Sequence, residues 1–440
     1  MSPHELIGAT RAEGLVTVDG QQYYLIPDVE MMAPFLMSVV SDGDRWMFIS
    51  SEGALTAGRR DATQALFPYE TDDRLHDASG ISGSSTLIRT VDDGSTWHPF
   101  QPRVATPVGR RVAKSVSGDV VIFEEDHPVL PLTVSYRWSS CEEFGFIRST
   151  SLVNRGDAPI RLQVIDGVLN VNPYGVDLGL QQSMRNLSHA YKRSQVIDSE
   201  NGFAVFSLEA QIADRPAPVE VMKATTMWHT GGSGLDVTLD RDAVMGLARG
   251  ELCSPSTVVT GRPGAYLLQG DVVLDPERPA EWSIVCDVAR DHSNIQALLN
   301  TLGSVDGLEH VLSDAVGAAS ERLVRLMASA DAMSNAGDGA TSANHVANVT
   351  YNVMRGGIPV DGYRMSTSDY CQFIKNRNQR VFEDCRGFLD SLPGEMALDD
   401  VLAKVSAEGQ PHLVRLTYEY LPFAFSRRHG DPSRPWNTFS

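Results

Sequence analysis

The stretch from Trp282 to Leu302, WSIVCDVARDHSNIQALLNTL, contains the point at which the chain changes from one backbone periodicity to another. Up to Val288 the apolar residues are β-branched or alternate with polar ones, which is typical of a strand. From Ile295 they recur at three- and four-residue spacing, which predicts an amphipathic helix. The chain therefore divides near residue 290 into a β part and a helical part.

The β part extends from this stretch back to the N-terminus. Short alternating or β-branched runs recur between turn dipeptides such as Asp42-Gly43 and Asn201-Gly202, and helical patterning is nearly absent. A long all-β region of this kind predicts two large packed sheets, so we expect a large antiparallel β-sandwich in residues 1–290. The runs are 22–26, 45–50, 120–123, 132–138, 161–165, 204–208, 266–268 and 282–288.

The helical part is divided by a stretch rich in small and polar residues, 334–339. Before it, two helices are predicted, and the second of them is long. We therefore expect linker helices in residues 291–340 and a helical domain in residues 341–440, so the fold class is α+β and multidomain. The apolar stripes of the helical domain are 346–354, 370–389, 398–405 and 413–420.

Composition and charge exclude several classes of function. The chain has 440 residues, with 37 basic and 56 acidic side chains and a formal net charge of −19. This charge opposes binding to nucleic acid and to an anionic membrane surface. The N-terminus has no signal-peptide pattern, and the longest apolar stretch, about ten residues with a proline, is too short to cross a bilayer. We therefore expect a cytoplasmic protein.

Sequence motifs for metals and cofactors do not occur. The five cysteines are scattered without a CxxC pair, and the 11 histidines include no HxxxH or HExxH pattern. The nucleophile motif GxSxG and the phosphate-loop motif GxxxxGK are also missing. We therefore predict no metal ion and no organic cofactor.

The last segment, Phe423 to Ser440, combines aromatic, basic and acidic side chains with Gly and Pro. It is predicted to be a loop, and loops so rich in functional groups usually lie between elements that hold them, so we expect a part of a longer protein or one of two partner chains. These side chains could bind a sugar, phosphate or carboxylate, or the arginines could pair with carboxylates of this acidic protein. The candidate binding residues are Arg427, Arg428, His429, Asp431, Arg434 and Trp436.

Three stretches carry a resemblance to a known family: LFPYETDDRLHD at 66–77, DGVLNVNPYG at 166–175 and TYNVMRGG at 350–357. With its order of β-sandwich, linker helices and helical domain, the chain resembles the N-terminal portion of proteins similar to cellobiose phosphorylase, in glycoside hydrolase family 94 and its uncharacterised relatives. The resemblance implies a galactose-mutarotase-like β-supersandwich, followed by the first helices of an (α/α)6 toroid. About a hundred residues follow residue 340, too few for the twelve helices of a complete toroid.

The resemblance also implies an inverting enzyme that acts on β-linked glucosides or oligosaccharides. One carboxylic acid would protonate the leaving oxygen while phosphate, or water aided by a base, attacks the opposite face of the sugar. In the resembling enzymes this acid follows the matched stretch, so we expect it beyond residue 440. Inorganic phosphate is a possible co-substrate, and the expected partners are an oligosaccharide and either a second copy or a chain with the rest of the barrel. The alternative is a non-catalytic carbohydrate-binding or structural subunit.

Two residues of the helical part are selected by the resemblance. Arg355 lies in the segment that precedes the sugar-binding residues of the family, where its donor fork could bind hydroxyls or phosphate, or could instead interact with the end of a helix. Asp369, in Asp-Tyr-Cys-Gln, resembles the sugar-binding Asp-x-Cys-Gln of the family, although Ser368 stands where relatives have arginine. Its spacing from Ser366 favours a capping box instead.

Charged clusters and tryptophans of the β part complete the candidates. Neighbours on a strand point to opposite faces, so we interpret the acidic run 124–126 as a solvated edge and not as a catalytic pair. The segment 72–77 is predicted to be a loop with surface ion pairs, or, as the resemblance implies, a loop that reaches the active site. In the binding-subunit alternative, exposed Trp97, Trp138 and Trp228 would stack on glycans, although most tryptophans belong to cores.

Overall fold

The structure is a computed structural model that describes residues 14–18, 20–101, 108–210, 221–276, 278–305, 307–329, 338–354 and 364–429. Its largest part is an antiparallel sheet of 11 strands. In spatial order the strands of this sheet are β1 (Gly14–Val18), β2 (Gln21–Pro27), β9 (Arg111–Ser115), β10 (Val121–Asp126), β11 (Leu132–Cys141), β12 (Gly145–Asn154), β20 (Ala280–Asp291), β16 (Lys223–Gly231), β15 (Phe203–Leu208), β14 (Lys192–Asp198) and β18 (Val258–Thr260).

Two smaller antiparallel sheets form the second layer. An isolated bridge between Ala54 and Gly83 joins them. The five-stranded sheet runs in the order β17 (Asp236–Thr238), β19 (Gly264–Leu274), β13 (Ile160–Val171), β7 (Gly83–Thr90) and β8 (Thr96–Trp97), and the four-stranded sheet in the order β3 (Leu36–Val39), β4 (Arg45–Ser50), β5 (Leu55–Arg59) and β6 (Ala65–Phe67).

The main core lies between these two layers. Phe123 and Trp138 of the large sheet pack in one cluster with Val164 and Val168 of β13 and with Phe67 of β6, and all five side chains are fully buried. Each such burial contributes about 1.5–3 kcal/mol relative to an exposed side chain. The packing of two antiparallel layers confirms the predicted β-sandwich, whose alternating runs supply the inward-facing residues.

A buried ion pair joins the two layers. Arg148 on β12 and Asp166 on β13 have no solvent exposure, and their side chains form two bonds, of 2.6 Å (Nη1–Oδ2) and 2.9 Å (Nη2–Oδ1). Trp282 also donates to Asp166 at 2.7 Å, and the hydroxyls of Thr86 and Thr150 donate to the same carboxylate. Because every carboxylate oxygen has several donors, the buried charge is well compensated.

Helices α5 (His292–Leu302) and α6 (Leu308–Ser329) cover the outer face of the large sheet. Leu302 and Leu312 pack with Trp228 and Val285 of the sheet in a second core. The N-terminus of α5 is closed by a capping box formed by Asp291. The change from strands to helices occurs at residues 291 and 292, close to the position that the periodicity indicates.

Ion pairs hold α6 at the edge of the sandwich. Arg322 of α6 donates to Asp42 at 2.6 Å, and Asp42 also pairs with the buried Arg45. Nearby, Arg59 donates to Asp287 at 2.8 Å and pairs with Asp44 at 2.6 Å. Charges from the β3–β4 turn, β5, β20 and α6 therefore meet in one network, which fixes the start of the helical part relative to the sheets.

Five further helices of the helical part pack around a third core. Tyr370, Ile374, Val401, Leu413 and Tyr420 are all nearly inaccessible to solvent within it. A short two-stranded sheet, β21 (Arg364–Ser366) with β22 (Glu395–Ala397), accompanies these helices. The helices of this core are α8 (Thr367–Arg377), α9 (Gln379–Asp384), α10 (Arg386–Asp390), α11 (Leu398–Glu408) and α12 (Pro411–His429), and α7 (Gly339–Met354) contacts α6 and α12.

Three predictions about local structure were wrong. The stripe 370–389 forms three short helices, α8 to α10, and not one continuous helix. The segment predicted as a charged loop is helix α1 (Asp72–Asp77), and the sandwich contains three further short helices, α2 (Leu178–Ser183), α3 (Arg185–His189) and α4 (Ala243–Ala248). The predicted terminal loop begins as helix, because α12 continues through His429. None of the described helices is long and apolar enough to span a membrane.

The Arg148–Asp166 pair yields a prediction about stability. Asp166→Asn leaves a buried guanidinium without a counter-charge, so we expect the free energy of unfolding to fall by about 3–5 kcal/mol. The double variant Arg148→Met/Asp166→Leu removes both charges and should lose less than Asp166→Asn alone. Urea unfolding measures both effects. As a matched control, Asp92→Asn breaks the exposed Arg161–Asp92 pair and should change stability by less than about 0.5 kcal/mol; an equal loss in the two Asn variants would contradict the prediction.

Candidate functional site

A cavity of about 400 Å³ opens in the β-sandwich between the second layer and helix α4. Its volume lies within the usual range of small-molecule sites, about 300–1,000 Å³. We call it the Phe100–Tyr136 pocket, after two aromatic residues of its lining. Seven separate parts of the chain form it: Glu52 and Gly80 near the four-stranded sheet, Ser84–Thr86 of β7, His98–Gln101 after β8, Tyr136 of β11, Leu169 of β13, and Arg241, Asp242, Val244 and Met245 at α4.

Phe100 occupies a strained backbone conformation at this pocket. Its φ angle of +63° lies in the left-handed region, which is unusual for a bulky residue and is costly unless the surroundings enforce it. A second buried ion pair does so: the backbone N–H of Phe100 donates to Glu125 at 2.8 Å, and Arg110 donates to the same oxygen at 2.8 Å. Trp97 donates to the other oxygen of Glu125 at 3.3 Å. The Phe100 ring then packs edge-on against Tyr136, with ring centroids 4.8 Å apart.

Tyr136 is the second aromatic residue of the lining, and its hydroxyl is buried. Its side chain is 1% exposed, and its ring lies under the guanidinium of Arg148, 4.6 Å from the ring centroid. Burial raises the pKa of Tyr136, and the nearby Arg148 and Ser84 oppose that rise. Ser84 already accepts hydrogen bonds from Arg148 at 3.0 Å and Trp138 at 3.3 Å, and the Tyr136 hydroxyl has no hydrogen bond of good geometry. The phenol is therefore neutral, and its oxygen is enclosed by the surrounding side chains.

Polar groups of both charges surround the aromatic pair. Glu52 accepts a hydrogen bond from Ser79 at 3.1 Å, and Asp242 accepts one from Arg262 at 2.8 Å. Burial lowers the pKa of His98, so this imidazole is neutral at pH 7 and can both donate and accept. Together with Arg241, these groups offer donors and acceptors without an excess of positive charge.

Beside the pocket, the first two family-like stretches meet. The backbone N–H of Asn172 donates to the carbonyl of Leu66 at 2.8 Å, and Glu70 pairs with Arg185 of α3. Asn172 also accepts a hydrogen bond from the buried amine of Lys192 at 3.0 Å. Burial, and secondarily the charge of Arg185, lower the pKa of Lys192 to about 7. These two stretches thus contact each other, and Leu169 of the second stretch lines the pocket.

Of the site residues predicted from sequence, Asp369 is the one whose side chain the structure describes. It lies in the first turn of α8 and accepts a hydrogen bond from Tyr420 of α12 at 2.9 Å. The Ser366 hydroxyl makes no capping bond and contacts Ser368 at 2.9 Å, so this half of the predicted capping box is not formed. Asp369 therefore links α8 to α12 beside the third core.

The other predicted site residues have less structural description. Arg427, Arg428 and His429 are in the last turns of α12, and nothing further is described for their side chains. Their position in a helix corrects the prediction that they belong to a loop. The remaining candidates, Arg355, Asp431, Arg434 and Trp436, lie outside the described residues.

The acidic run 124–126 was misread as a solvated edge. Glu124 and Glu125 are each 1% exposed. Glu125 pairs with Arg110 at 2.7 Å, and Glu124 accepts from Arg111 at 2.6 Å. The sequence contains a signal for this pairing, because two successive acids on β10 match two successive arginines, Arg110 just before β9 and Arg111 at its start. The strand register aligns Glu124 with Arg111. Trp97, Trp138 and Trp228 are buried, so none of them offers an exposed face to a glycan.

The buried Lys192 predicts a pH dependence of stability. Its pKa is about 7 in the folded chain and about 10.4 when unfolded, so between these values the unfolded state binds more protons. Stability should therefore rise as the pH increases from about 7 towards 10. Lys192→Met should reduce this rise, measured by urea unfolding at pH 7 and pH 9.5. Lys223→Met, at an exposed lysine, should keep the wild-type pH dependence; a wild-type slope in Lys192→Met would refute the assignment.

Comparison with protein families connects the helical part with carbohydrate-active proteins. Residues 360–422 match the model of glycoside hydrolase family 149 insertion domain 1. This segment contains β21, β22, α8 to α11 and the part of α12 up to residue 422. The match relates this segment to a domain found in a glycoside hydrolase family, and it does not support family 94 in particular. No curated protein sequence matches the chain significantly.

Similarity to solved structures is weak. A bacterial glucoamylase in complex with acarbose is 10% identical with a TM-score of 0.40, and the similarity covers 85% of this chain and 50% of the glucoamylase. A polysaccharide lyase is 12% identical with a TM-score of 0.32, over 60% of this chain and 33% of the lyase. A GalM/aldose epimerase homologue from C. elegans is 11% identical with a TM-score of 0.34, over 59% of this chain and 100% of the homologue. The chain thus spans half or less of the first two structures, and scores this low support no argument about function.

Proposed function

We propose that the chain is part of a carbohydrate-active enzyme of the glycoside phosphorylase or hydrolase kind. The observation that carries this proposal is the match of residues 360–422 to an insertion domain of a glycoside hydrolase family. An insertion domain interrupts a larger domain, so elements of that larger domain are expected on both sides of it. In this proposal α7, which precedes the match, is an opening helix of an (α/α)6 toroid, and α8 to α11 belong to the insertion.

The proposed reaction is inverting cleavage of a β-linked glucoside or oligosaccharide. A carboxylic acid beyond residue 440 gives its proton to the glycosidic oxygen as the bond from that oxygen to the anomeric carbon breaks. A phosphate oxygen, or a water deprotonated by a base, forms the new bond from the opposite face. Phosphate yields an α-glycosyl phosphate, and water yields the α-hemiacetal.

The proposed sugar-binding residues come from the sequence. Arg355 would donate to hydroxyls or phosphate through its guanidinium fork. Asp369 would contribute more by linking α8 to α12 than by contacting a ligand, since its carboxylate accepts from Tyr420. The C-terminal group would provide charge-assisted hydrogen bonds and a stacking surface. Its members are Arg427, Arg428, His429, Asp431, Arg434 and Trp436.

A second candidate function is that of a carbohydrate-binding subunit without catalysis. The Phe100–Tyr136 pocket favours it, because this pocket is built from the β-sandwich without any residue of the helical part. In this case the chain would associate with a second copy or with a chain that carries catalytic helices.

The two functions are separated by an assay of the 440-residue chain and of a longer protein that includes the downstream coding sequence. We expect the longer protein to cleave β-linked gluco-oligosaccharides and the 440-residue chain to be inactive. Products are followed by NMR, which reports the anomeric configuration, with and without inorganic phosphate. A β-configured first product would contradict inversion, and turnover by the 440-residue chain alone would contradict the placement of the acid.

The role of Arg355 is tested in the same longer protein. Arg355→Ala should reduce kcat/KM by about 100-fold if the guanidinium binds the transition state, a loss of about 2.7 kcal/mol. Arg377→Ala, at another arginine near the end of a helix, is the matched control and should leave kcat/KM unchanged. Equal activities of the two variants would remove Arg355 from the site.

A further inference from the structure

We propose that a cleft between α6 and the outer face of the large sheet binds a small oxyanion that also carries hydroxyl groups, such as a sugar phosphate or a sugar acid. The cleft has a volume of about 490 Å³ and shares no lining residue with the Phe100–Tyr136 pocket. We call it the Arg137 cleft, after the arginine on its floor, and its lining comes from β2, β11, β12, β16, β20 and α6. This binding goes beyond the proposed function and does not rest on it.

The floor of the cleft is a row of polar side chains on four neighbouring strands. Arg137 of β11 stands opposite Ser149 of β12, and Ser149 stands opposite Ser283 of β20. Ser283 in turn stands opposite Thr230 of β16. Paired residues of antiparallel strands project from the same face of a sheet, so the row lies on one face. It is the face that α6 covers, because Trp228, two positions before Thr230, packs against that helix.

The opposite wall of the cleft is a stripe of small residues on α6. Ser313, Gly317 and Ser320 follow one another at three- and four-residue spacing, which places them on one side of the helix, and all three line the cleft. A Cβ atom added to Gly317 would meet no other atom within 4 Å. Small side chains on the helix thus keep open the space above the polar row.

The guanidinium of Arg137 has no counter-charge. Its side chain is partly buried and makes no ion pair or hydrogen bond with any described residue. Nε is enclosed, whereas Nη1 and Nη2 keep solvent access at the cleft. In a chain with a net charge of −19, such a fork is positioned for an external oxyanion, which can accept two parallel hydrogen bonds from it. The buried arginines of the described residues, by contrast, each pair with a carboxylate; they are Arg45, Arg59, Arg110 and Arg148.

Ser139 provides a second open donor beside Arg137. It lies two positions further along β11, so it projects from the same face of the sheet. Ser139 is only 5% exposed, yet its hydroxyl lines the cleft and has no hydrogen-bond partner among the described residues. The hydroxyls of Ser149 and Ser283 lie 2.8 Å apart and form one hydrogen bond, so one O–H of that pair also remains to donate. An oxyanion at Arg137 is therefore surrounded by donors.

The acids of the cleft lie away from Arg137. Glu309 of α6 accepts a hydrogen bond from Thr230 at 3.3 Å, and Thr230 is three strands from Arg137, about 14 Å at the usual strand spacing. Glu281 lines the cleft from β20, two strands from Arg137, and forms no ion pair with it. Carboxylates repel an anion and accept hydrogen bonds from hydroxyl groups. A ligand that fills the cleft thus places its oxyanion at Arg137 and its hydroxyl groups towards Glu309.

Binding to the 440-residue chain tests this proposal without any catalysis. Glucose 6-phosphate, gluconate, inorganic phosphate and glucose are titrated by calorimetry at low ionic strength, where the charge of Arg137 is least screened. We expect a hydroxylated anion to bind about tenfold more tightly than glucose and than inorganic phosphate. Whichever of glucose 6-phosphate and gluconate binds more tightly identifies the oxyanion as a phosphate or a carboxylate.

Two variants test the donors of the site. Arg137→Gln should weaken binding of the hydroxylated anion about tenfold, and Ser139→Ala should weaken it about threefold. Arg249→Gln removes an equal charge at an exposed arginine outside the cleft and is the matched control, with wild-type affinity expected. Because Arg137 has no counter-charge in the fold, Arg137→Gln should keep the Tm, whereas loss of a structural arginine would lower it.

A third variant tests the location from the side of the helix. Gly317→Leu fills the space above the polar row, so binding should be lost. Leucine favours a helix more than glycine does, so the Tm should hold or rise. Ala318→Leu adds the same side chain at the next, exposed position of α6, about 100° around the helix, and should bind the anion as the wild type does.

Three results would each overturn the proposal. They are wild-type affinity in either Arg137→Gln or Gly317→Leu, binding of glucose or inorganic phosphate as tight as that of both hydroxylated anions, and the absence of anion binding. None of them touches the proposed function, which is tested by turnover of the longer protein.

Discussion

The buried pair of Arg148 and Asp166 is the interaction on which the rest of the sandwich depends. Both charges lose their hydration when the two layers pack together. Their mutual attraction compensates for this loss only if the geometry is good and the other polar atoms of the pair are satisfied. The hydroxyls of Thr86 and Thr150 and the indole of Trp282 meet that condition. These donors come from β7, β12 and β20, so a shift of one residue in any of these strands would turn a donor away from the carboxylate.

Charged groups also fix two other parts of the structure. Arg148 also supports the ring of Tyr136, and through it the pocket of the β-sandwich. A separate network, which includes Asp42, Arg59 and Asp287, joins the sheets to α6 through Arg322. Because α6 contacts α7 and α12, the helical core is built on a support that the sandwich positions. Buried charges thus fix relative positions in this acidic protein, while apolar burial supplies most of its stability.

The layout of the fold was accessible from sequence because it depends on periodicity. The alternating runs became strands of the sandwich, and the change of period before Ile295 coincides with the start of α5. Local predictions were wrong where tertiary contacts decide the structure. The segment 72–77 is short and charged, and it forms a helix whose Leu75 is buried against the four-stranded sheet. The terminal segment contains its Gly and Pro residues mainly after His429, so the aromatic and basic residues before them can continue α12.

The pocket was not accessible from sequence, because no local pattern marks it. Its lining combines parts of the chain between Glu52 and Met245, and only the register of the strands brings them together. Glu125 shows the reason most clearly. As one of two successive acids it looks like a solvated residue, yet β10 is covered on both faces, and each acid meets its own arginine on β9 or just before it. The strain of Phe100 follows from that pairing. The role of each acid at this site thus depends on a partner that is more than ten positions away in the chain. Periodicity and local spacing do not predict such a pairing.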